Sequence, residues 1–247
     1  MKTDLFRDYS RNNVHFYDDV FPAFLELGFN LMSDVEKPRI VDLGCGDGKI
    51  LFALHKKGLL DGFSEIVGVD LSEERIRRMK KALPFVKGVV SDASDIKDCP
   101  SSFFDYVICS QVIEHVQDDG ALVVEIKRIL KPCGVAFISS VIKRWYGVYF
   151  YSSNGSFRLD PTHVREYSSA DKFVSLMQEQ GLEVIGVETR QIMFPILDLL
   201  LRLFVRFGLV EPDTGFFRKH KSLKKIRGFR TPITGYKYVE VLVRKIE

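Results

Sequence analysis

Residues 41–48, with the sequence Val-Asp-Leu-Gly-Cys-Gly-Asp-Gly, follow a short apolar run and precede a helical pattern. Gly44, Gly46 and Gly48 let the backbone turn sharply and approach a ligand closely, because they carry no Cβ and adopt positive φ at little cost. The next strand pattern ends in Asp70, where a carboxylate accepts hydrogen bonds from ribose hydroxyls. This pairing predicts a βαβ unit that binds a ribose-containing ligand, although glycines also occur in purely structural strand-to-helix turns.

Strand and helix patterns alternate along the chain. Such alternation favours an α/β fold with a mainly parallel sheet, helices on both faces and ligands at the carboxyl ends of the strands. With 46% apolar and 28% charged residues over 247 positions, one sizeable core and a single domain are expected. The predicted strands lie near residues 39–43, 65–70, 86–90, 104–110, 134–140, 182–190 and 235–245.

The glycine spacing points away from nicotinamide and flavin proteins, because the third glycine comes one position too early for Gly-x-Gly-x-x-Gly. A hydride-transfer cofactor is therefore disfavoured. Asp42 to Gly48 instead resembles the first motif of the class I S-adenosylmethionine-dependent methyltransferases. Three further segments, 91–93, 104–115 and 130–135, resemble this family in the expected order, and the resemblance covers roughly residues 36–190.

This resemblance implies S-adenosylmethionine as cofactor and S-adenosylhomocysteine as product. It also implies a Rossmann-like seven-stranded sheet whose last strand is antiparallel. In this family an aspartate after the third strand meets the adenine amino group, and here that residue is Asp92. The cofactor-binding residues implied are Asp42, Gly44, Cys45, Gly46, Gly48, Asp70, Leu71, Asp92, Ala93, Ser110 and Gln111.

Residues 1–38 are rich in aromatic side chains and are expected to form a helical lid over the cofactor mouth. Tyr9 and Tyr17 are candidates for contact with substrate or cofactor. The alternative is that these aromatic residues only cover an edge of the sheet. The single domain of residues 1–247 then divides into this lid, a cofactor-binding core at 39–191, an insertion between the sixth and seventh strands at 192–234 and the last strand at 235–247.

In this family a nucleophile attacks the sulfonium methyl group in line, so the residue to find is the base. His163 lies between the fifth strand and the next helix, where substrate-facing loops of this fold emerge, and is the first candidate. Its ordinary pKa, close to 6.5, suits removal of a hydroxyl proton, while Arg165 or Tyr167 could hold the substrate. His115 is the second candidate. Alternatively, residues 160–168 only lead into a helix capped by Ser168 or Ser169.

Residues 111–115, Gln-Val-Ile-Glu-His, are similar to the Glu-x-x-Glu-His metal-binding stretch of RNA 3′-terminal ribose methyltransferases. Gln111 stands where that stretch has its first carboxylate, and an amide is a poor replacement for an anionic ligand, so no metal site is predicted. Residues 109–112 also lack the Asp/Asn-Pro-Pro-Tyr/Phe pattern of many amino-group methyltransferases. Oxygen or carbon acceptors are therefore favoured over nitrogen.

The insertion at 192–234 has two unlike halves. Its first half, residues 192–210, is strongly apolar, yet Asp198, Arg202 and Arg206 recur every fourth residue, which predicts an amphipathic helix rather than a membrane span. Its second half, residues 216–230, interleaves basic and aromatic residues. Nine Lys or Arg against three acids give the insertion a charge of +6. It could bind RNA, an anionic metabolite or a membrane surface, or be a core-packing helix followed by a solvated basic loop.

The overall charge of +3 is too small to imply a nucleic-acid partner by itself. The four cysteines match neither a zinc site nor a disulfide framework, and no signal peptide is visible, so a cytoplasmic location is expected, with peripheral contact at the inner membrane surface through residues 192–230. The expected activity is methyl transfer to an oxygen of a small or lipid-linked molecule. The alternatives are RNA ribose 2′-O-methylation and a non-catalytic, cofactor-binding interaction subunit.

Overall fold

The computed structural model describes residues 16–32, 34–97, 99–148, 151–153, 156–210 and 213–246. The strands in this part of the chain are β1 (Arg39–Leu43), β2 (Glu65–Asp70), β3 (Lys87–Val90), β4 (Phe104–Ser110), β5 (Leu130–Lys143), β6 (Tyr151–Ser153), β7 (Ser156–Arg158), β8 (Leu182–Pro195) and β9 (Arg230–Lys245). The helices are α1 (Ala23–Asn30), α2 (Lys49–Lys56), α3 (Glu73–Ala82), α4 (Asp119–Ile129), α5 (Ala170–Glu179), α6 (Leu197–Arg206), α7 (Phe216–Lys219) and α8 (Lys221–Arg227).

Seven strands form one sheet in the order β3-β2-β1-β4-β5-β9-β8. Strands β1 to β5 pair in parallel, whereas β9 runs antiparallel to both of its neighbours, β5 and β8. This arrangement confirms the mostly parallel Rossmann-like sheet and the antiparallel last strand expected from the sequence. A small hairpin, β6–β7, follows β5 and was not expected.

Alternate side chains of the central strand β4 supply both faces of the core. Tyr106 and Ile108 belong to the apolar cluster on one face, and Val107 and Cys109 belong to the cluster on the other. All four side chains are fully buried. A strand covered on both faces has this continuous apolar character, which is why its pattern was easy to recognise in the sequence.

The last two strands are longer than predicted. The β8–β9 ladder continues through Met193 paired with Pro232 to Pro195 paired with Arg230, so residues that the sequence assigned to the insertion extend the sheet. The segment between the two strands is therefore 196–229. Because β8 runs parallel to β5, the ladder carries this segment to the edge where the parallel strands have their carboxyl ends.

Helix α1 packs on a face of the sheet, against the central strand β4. Leu25 is fully buried, and the Tyr106 hydroxyl donates to its carbonyl oxygen at 2.9 Å. A Cβ at Gly28 would come within 2.3 Å of the same hydroxyl oxygen, so the glycine permits this close approach. The helical lid over the cofactor mouth and the alternative of a cover for an edge of the sheet both stay predictions; Tyr9 lies outside the described residues.

The insertion folds as three helices, α6 to α8, where the sequence indicated one amphipathic helix and a basic segment. The alternative of a solvated basic loop is wrong for Arg227. Its guanidinium lies inside an ion-pair cluster with Asp18 and Asp198, and it stacks 5.0 Å from the centre of the Phe217 ring. Asp198 Oδ1 accepts from Arg227 Nε at 2.7 Å. This contact ties α8 to α6 and to the segment before α1. Within the described residues, no helix is long and apolar enough to cross a membrane.

Candidate active site

The glycine loop between β1 and α2 has the backbone conformation that its sequence predicted. Gly44, Gly46 and Gly48 have φ of 67°, 56° and 80°, a region that favours glycine. Two of them are also required by packing, because a Cβ at Gly44 would lie 2.3 Å from the side chain of Val112, and one at Gly48 would lie 2.5 Å from that of Met79. The loop is therefore held tightly against its neighbours.

Asp70, at the carboxyl end of β2, fixes this loop in place. Its Oδ2 accepts from the Gly46 amide at 3.0 Å, and its Oδ1 accepts from the Ser72 amide at 2.8 Å. Burial raises the pKa of Asp70, while Arg75 and the two amide donors oppose that rise. A carboxylate has about four acceptor positions. Two of them remain for ribose hydroxyls, and Leu71, half exposed beside it, offers an apolar contact.

Asp42, in β1, is a buried carboxyl group with unused bonding capacity. Its Oδ2 has no hydrogen-bond partner among the described residues. Burial, together with the negative charge of Asp70, raises its pKa well above the usual range. An orphaned buried oxygen is costly unless a ligand or water supplies a donor. The residues of the first motif therefore fit a polar ligand such as S-adenosylmethionine.

Asp92 lies on the far side of this region, after β3. It is exposed, its Oδ1 accepts from the Ser94 amide at 2.8 Å, and the adjacent Ala93 is buried. A groove of about 360 Å³ opens beside it, lined by Val89, Val90, Ser91, Asp92, Asp95, Ile96 and Lys97. The contact of Asp92 with the adenine amino group stays a prediction. Asp42 and Asp70 are not part of its lining.

Tyr17 and Cys45 both have internal partners. The Tyr17 hydroxyl donates to the Asp47 carbonyl oxygen at 2.7 Å, and its ring packs 5.0 Å from that of Phe52. The hydroxyl of Tyr17 thus holds the glycine loop through this hydrogen bond. Burial raises the pKa of Tyr17. Burial likewise raises the pKa of the Cys45 thiol well above its usual range, and its Sγ lies 3.6 Å from Met79 Sδ. Cys45 is therefore a neutral packing residue.

The end of β4 joins this loop to a second group of polar residues. Gln111 has φ of 58°, and its amide donates to the Ser139 carbonyl oxygen at 3.1 Å. In the amide orientation that satisfies both ends of its side chain, Nε2 donates to Glu114 Oε1 at 3.1 Å and Oε1 accepts from the Ser140 amide at 3.3 Å. Ser110 Oγ lies 3.0 Å from Ser139 Oγ. Ser110 and Gln111, both predicted to bind the cofactor, are adjacent in the chain, and the side chain of Gln111 is hydrogen-bonded to Glu114.

The two candidate histidines lie together. Their rings make a T-shaped contact with centroids 4.8 Å apart. His163 is buried between two carboxyl groups: Nδ1 lies 3.0 Å from Glu166 Oε1, and Nε2 lies 4.0 Å from Glu114 Oε1. His115 Nδ1 lies 2.9 Å from Thr162 Oγ1. The sequence therefore selected two residues from distant segments that meet in space.

Burial shifts the protonation of this cluster. It raises the pKa of Glu114 to about 7, although the neighbouring His163 opposes the rise, and Ser140 Oγ donates to Glu114 Oε2 at 3.0 Å. Burial and the charge of His163 lower the pKa of His115 to about 4. His115 is consequently neutral near pH 7. Of the two rings, only that of His163 has carboxyl groups close to both of its nitrogens.

Glu166 was missed by sequence reasoning and is the partner that orients His163. Its Oε1 lies 3.0 Å from His163 Nδ1 and accepts from the Leu159 amide at 2.7 Å. With the Nδ1 proton directed at Glu166, Nε2 is left as the acceptor nitrogen of the neutral ring. The signal available in the sequence was an acid three residues after the histidine.

Arg165 and Tyr167, predicted to hold substrate, use their polar groups inside the protein. The Arg165 guanidinium donates to the carbonyl oxygens of Ile113 and Val116, at 3.0 and 2.7 Å. The Tyr167 hydroxyl donates to Asp119 Oδ2 at 2.8 Å. Arg165 therefore fixes the turn that carries Glu114 and His115, and Tyr167 fixes the start of α4, which follows that turn.

Glu114, His115 and His163 each offer a ligand atom, and these atoms lie within 4.8 Å of one another. Three such side chains could hold a divalent cation. The first carboxylate of the similar RNA-methyltransferase stretch is replaced here by Gln111, whose amide is directed at Glu114. The expectation that this site works without metal stays a prediction, which a comparison of rates with and without magnesium checks.

The chain is similar to known proteins in both sequence and fold. A family model described as a methyltransferase domain matches residues 11–187. The ubiquinone biosynthesis O-methyltransferase of Methylococcus capsulatus is 28% identical over 161 residues, which cover 61% of this chain and 65% of that protein. The protein of the same name from Neisseria meningitidis serogroup C is 28% identical over 116 residues, which cover 45% of this chain and 47% of that protein. The chain thus matches about half to two thirds of the length of these relatives.

Among solved structures, an S-adenosylmethionine-dependent methyltransferase from Methanosarcina mazei shares the fold. Its TM-score is 0.60 at 16% sequence identity, with 93% of this chain and 99% of that chain covered. At this identity the likeness concerns the fold alone. The family match over most of the chain goes further, because it includes the glycine loop, Asp70, Asp92 and both candidate histidines. The chain therefore belongs to the class I S-adenosylmethionine-dependent methyltransferases, with S-adenosylmethionine as its cofactor.

Proposed function

We propose that this methyltransferase methylates a hydroxyl oxygen of a small or lipid-linked molecule, with His163 as the general base. The observation that carries the proposal is the pair formed by His163 and Glu166, with 3.0 Å between Nδ1 and Oε1. A carboxylate on Nδ1 fixes the tautomer and stabilises the imidazolium that forms when Nε2 takes a proton. Nitrogen acceptors with a free lone pair need no such base.

Bound S-adenosylmethionine supplies an electrophilic methyl group on a sulfonium. His163 Nε2 would take the acceptor O–H proton as the oxygen gains the methyl group, and S-adenosylhomocysteine would be the leaving product. His163 is only 5% exposed, so water has little access to the base. Arg165 holds the turn around Glu114 and thereby positions one wall of this site.

The relatives support an oxygen acceptor. The proteins from Methylococcus and Neisseria carry O-methyltransferase names that refer to ubiquinone biosynthesis, and the present chain lacks the motif of the amino-group enzymes. We extend that acceptor chemistry to this chain as part of the proposal. RNA ribose methylation is the second candidate, favoured by the ligand atoms of Glu114, His115 and His163 and by the basic insertion.

The test measures S-adenosylhomocysteine formation with catechol as a minimal hydroxyl acceptor and with a short single-stranded RNA. His163→Gln should lower kcat about 100-fold or more while leaving affinity for S-adenosylhomocysteine unchanged. His55→Gln, at an exposed histidine on α2, is the matched control and should behave like the parent. Glu166→Gln should lower kcat less and move its pH dependence, which a purely structural role would not do.

An unchanged kcat in His163→Gln would remove this residue as the base. Methylation of the RNA alone, lost on addition of EDTA and restored by magnesium, would establish the second candidate instead. Transfer to catechol that survives EDTA supports the proposed reaction and the prediction of a metal-free site.

A further inference from the structure

Helix α6 has two apolar faces, and within the described residues only one of them packs against the rest of the insertion. This inner face contributes Leu197, Leu201 and Val205, which pack in a cluster with Phe16 and the aromatic residues of α7. A second, outer set recurs at spacings of three and four residues and therefore lies along an adjacent stripe of the helix. Its members are between 44% and 71% exposed: Ile196, Leu200, Leu203, Phe204 and Phe207.

A stripe of five large apolar side chains is more than the scatter of single exposed residues that any surface shows. Just past the helix, Leu209 is also exposed, at 70%. Because the inner face alone packs against the rest of the insertion, the outer stripe is not needed to hold the helix in place. The outer stripe is therefore a surface available to a partner.

A second exposed apolar group lies in the loop after β5, at the same edge of the sheet. Trp145 is 94% exposed and is followed by Tyr146 and Val148, both about half exposed. The loop is held against β9, since the Arg144 amide donates to the Gly235 carbonyl oxygen at 2.8 Å. Tryptophan and tyrosine are the residues that concentrate at membrane–water interfaces. Trp145 is the only tryptophan of the chain.

Charge separates this region from the rest of the protein. Residues 192–234 carry a formal charge of +6 while the whole chain carries +3, which leaves −3 elsewhere. On the insertion, Lys219 and Lys224 pair with Asp213 and Asp19. Further exposed cations on α7, α8 and the start of β9 add to them: Arg218, Lys221, Lys225 and Arg230.

We propose that this cationic, apolar edge docks on an anionic lipid bilayer, with the outer stripe of α6 lying in the interface plane. An amphipathic helix beside basic residues has the composition for such binding. Leucine and isoleucine find no counterpart in RNA, where stacking on bases is the apolar contact. A second copy of the chain would bring the same cationic rim against itself. The inference uses surface residues only, so it stands independently of the proposed acceptor.

The test is sedimentation with vesicles of phosphatidylglycerol and phosphatidylcholine in equal amounts, compared with phosphatidylcholine alone. We expect binding to the anionic vesicles, weakened by salt, and a blue shift of Trp145 fluorescence on binding. Leu200→Glu should reduce the bound fraction at least tenfold. Val124→Glu, at an equally exposed aliphatic residue on α4, is the matched control and should bind like the parent.

Lys221→Glu with Lys225→Glu should weaken vesicle binding at least tenfold, whereas Lys80→Glu with Lys81→Glu on α3 should have much less effect. Circular dichroism and affinity for S-adenosylhomocysteine report whether each variant folds. Vesicle binding that Leu200→Glu leaves intact would overturn the proposal. So would RNA binding in place of vesicle binding, or a dimer that Leu200→Glu dissociates. Methylation of catechol by a protein that ignores vesicles would refute this inference and leave the proposed function standing.

Discussion

The cofactor side and the acceptor side of this protein are built from contacts of different range. On the cofactor side, Asp70 holds Gly46 and Ser72, all within one βαβ unit. On the side of the candidate histidines, Glu114 meets His163, and at the insertion Arg227 meets Asp18 across almost the whole chain. The difference teaches that the bonds of Asp70 belong to one local motif, whereas the histidine cluster and the insertion depend on segments brought together by the whole fold.

The sharpest test of the local side is Asp70→Ala. It removes the acceptor of the Gly46 and Ser72 amides and the expected ribose ligand, so affinity for S-adenosylhomocysteine should fall about 100-fold or more. Calorimetric titration measures the change. Glu73→Ala, at an exposed acid in the first turn of α3, is the control and should bind normally. Retained affinity in Asp70→Ala would place the ribose elsewhere.

The long-range side is tested most strongly at Arg227. Arg227→Ala leaves Asp18 buried without its guanidinium partner, which should cost about 3–5 kcal/mol in the free energy of unfolding. Lys224→Ala removes an exposed pair with Asp19 on the same helix and should cost less than about 1 kcal/mol. Urea denaturation of both variants checks the contrast. Equal losses would mean that Arg227 contributes no more than a surface cation.

The smallest expected effect is a pH dependence at Glu114. Its pKa of about 7 in the folded protein lies above the value of about 4.3 for an unfolded chain, so folding is favoured by the bound proton. That contribution is complete at low pH and is lost as the pH rises through 7. Because Glu114→Gln cannot ionise, the parent should lose more stability than the variant between about pH 4 and pH 8.

Unfolding curves across this range check the prediction, and subtracting the variant's curve from the parent's removes most of the opposite contribution of His115. Parallel curves would show that Glu114 titrates alike in the folded and unfolded states.

Sequence reasoning worked where structure is local. The bounds of β1, β2 and β4 follow from apolar runs that end at Leu43, Asp70 and Ser110, and the structure confirms them. The conformation of the glycine loop was equally predictable from the sequence, because positive φ and close packing both require glycine there. The strand bounds and the positive φ depend on immediate neighbours, whereas the packing of Gly44 against Val112 does not.

It worked less well where side chains find distant partners. Nothing near Arg165 in the sequence indicates that its guanidinium serves the carbonyl oxygens of Ile113 and Val116. Arg227 looked like one cation of a solvated basic segment, yet its partners Asp18 and Asp198 lie in other elements. The extension of β8 to Pro195 was missed because it depends on pairing with β9.

Tyr17 and Asp18 are adjacent residues that face in two directions. The hydroxyl of one holds the carbonyl of Asp47 in the glycine loop, and the carboxylate of the other holds Arg227 in the insertion. The glycine loop and the insertion therefore share one short segment. Thermodynamic linkage is reciprocal, so if the proposed surface attachment changes cofactor affinity by some factor, the cofactor changes attachment by the same factor.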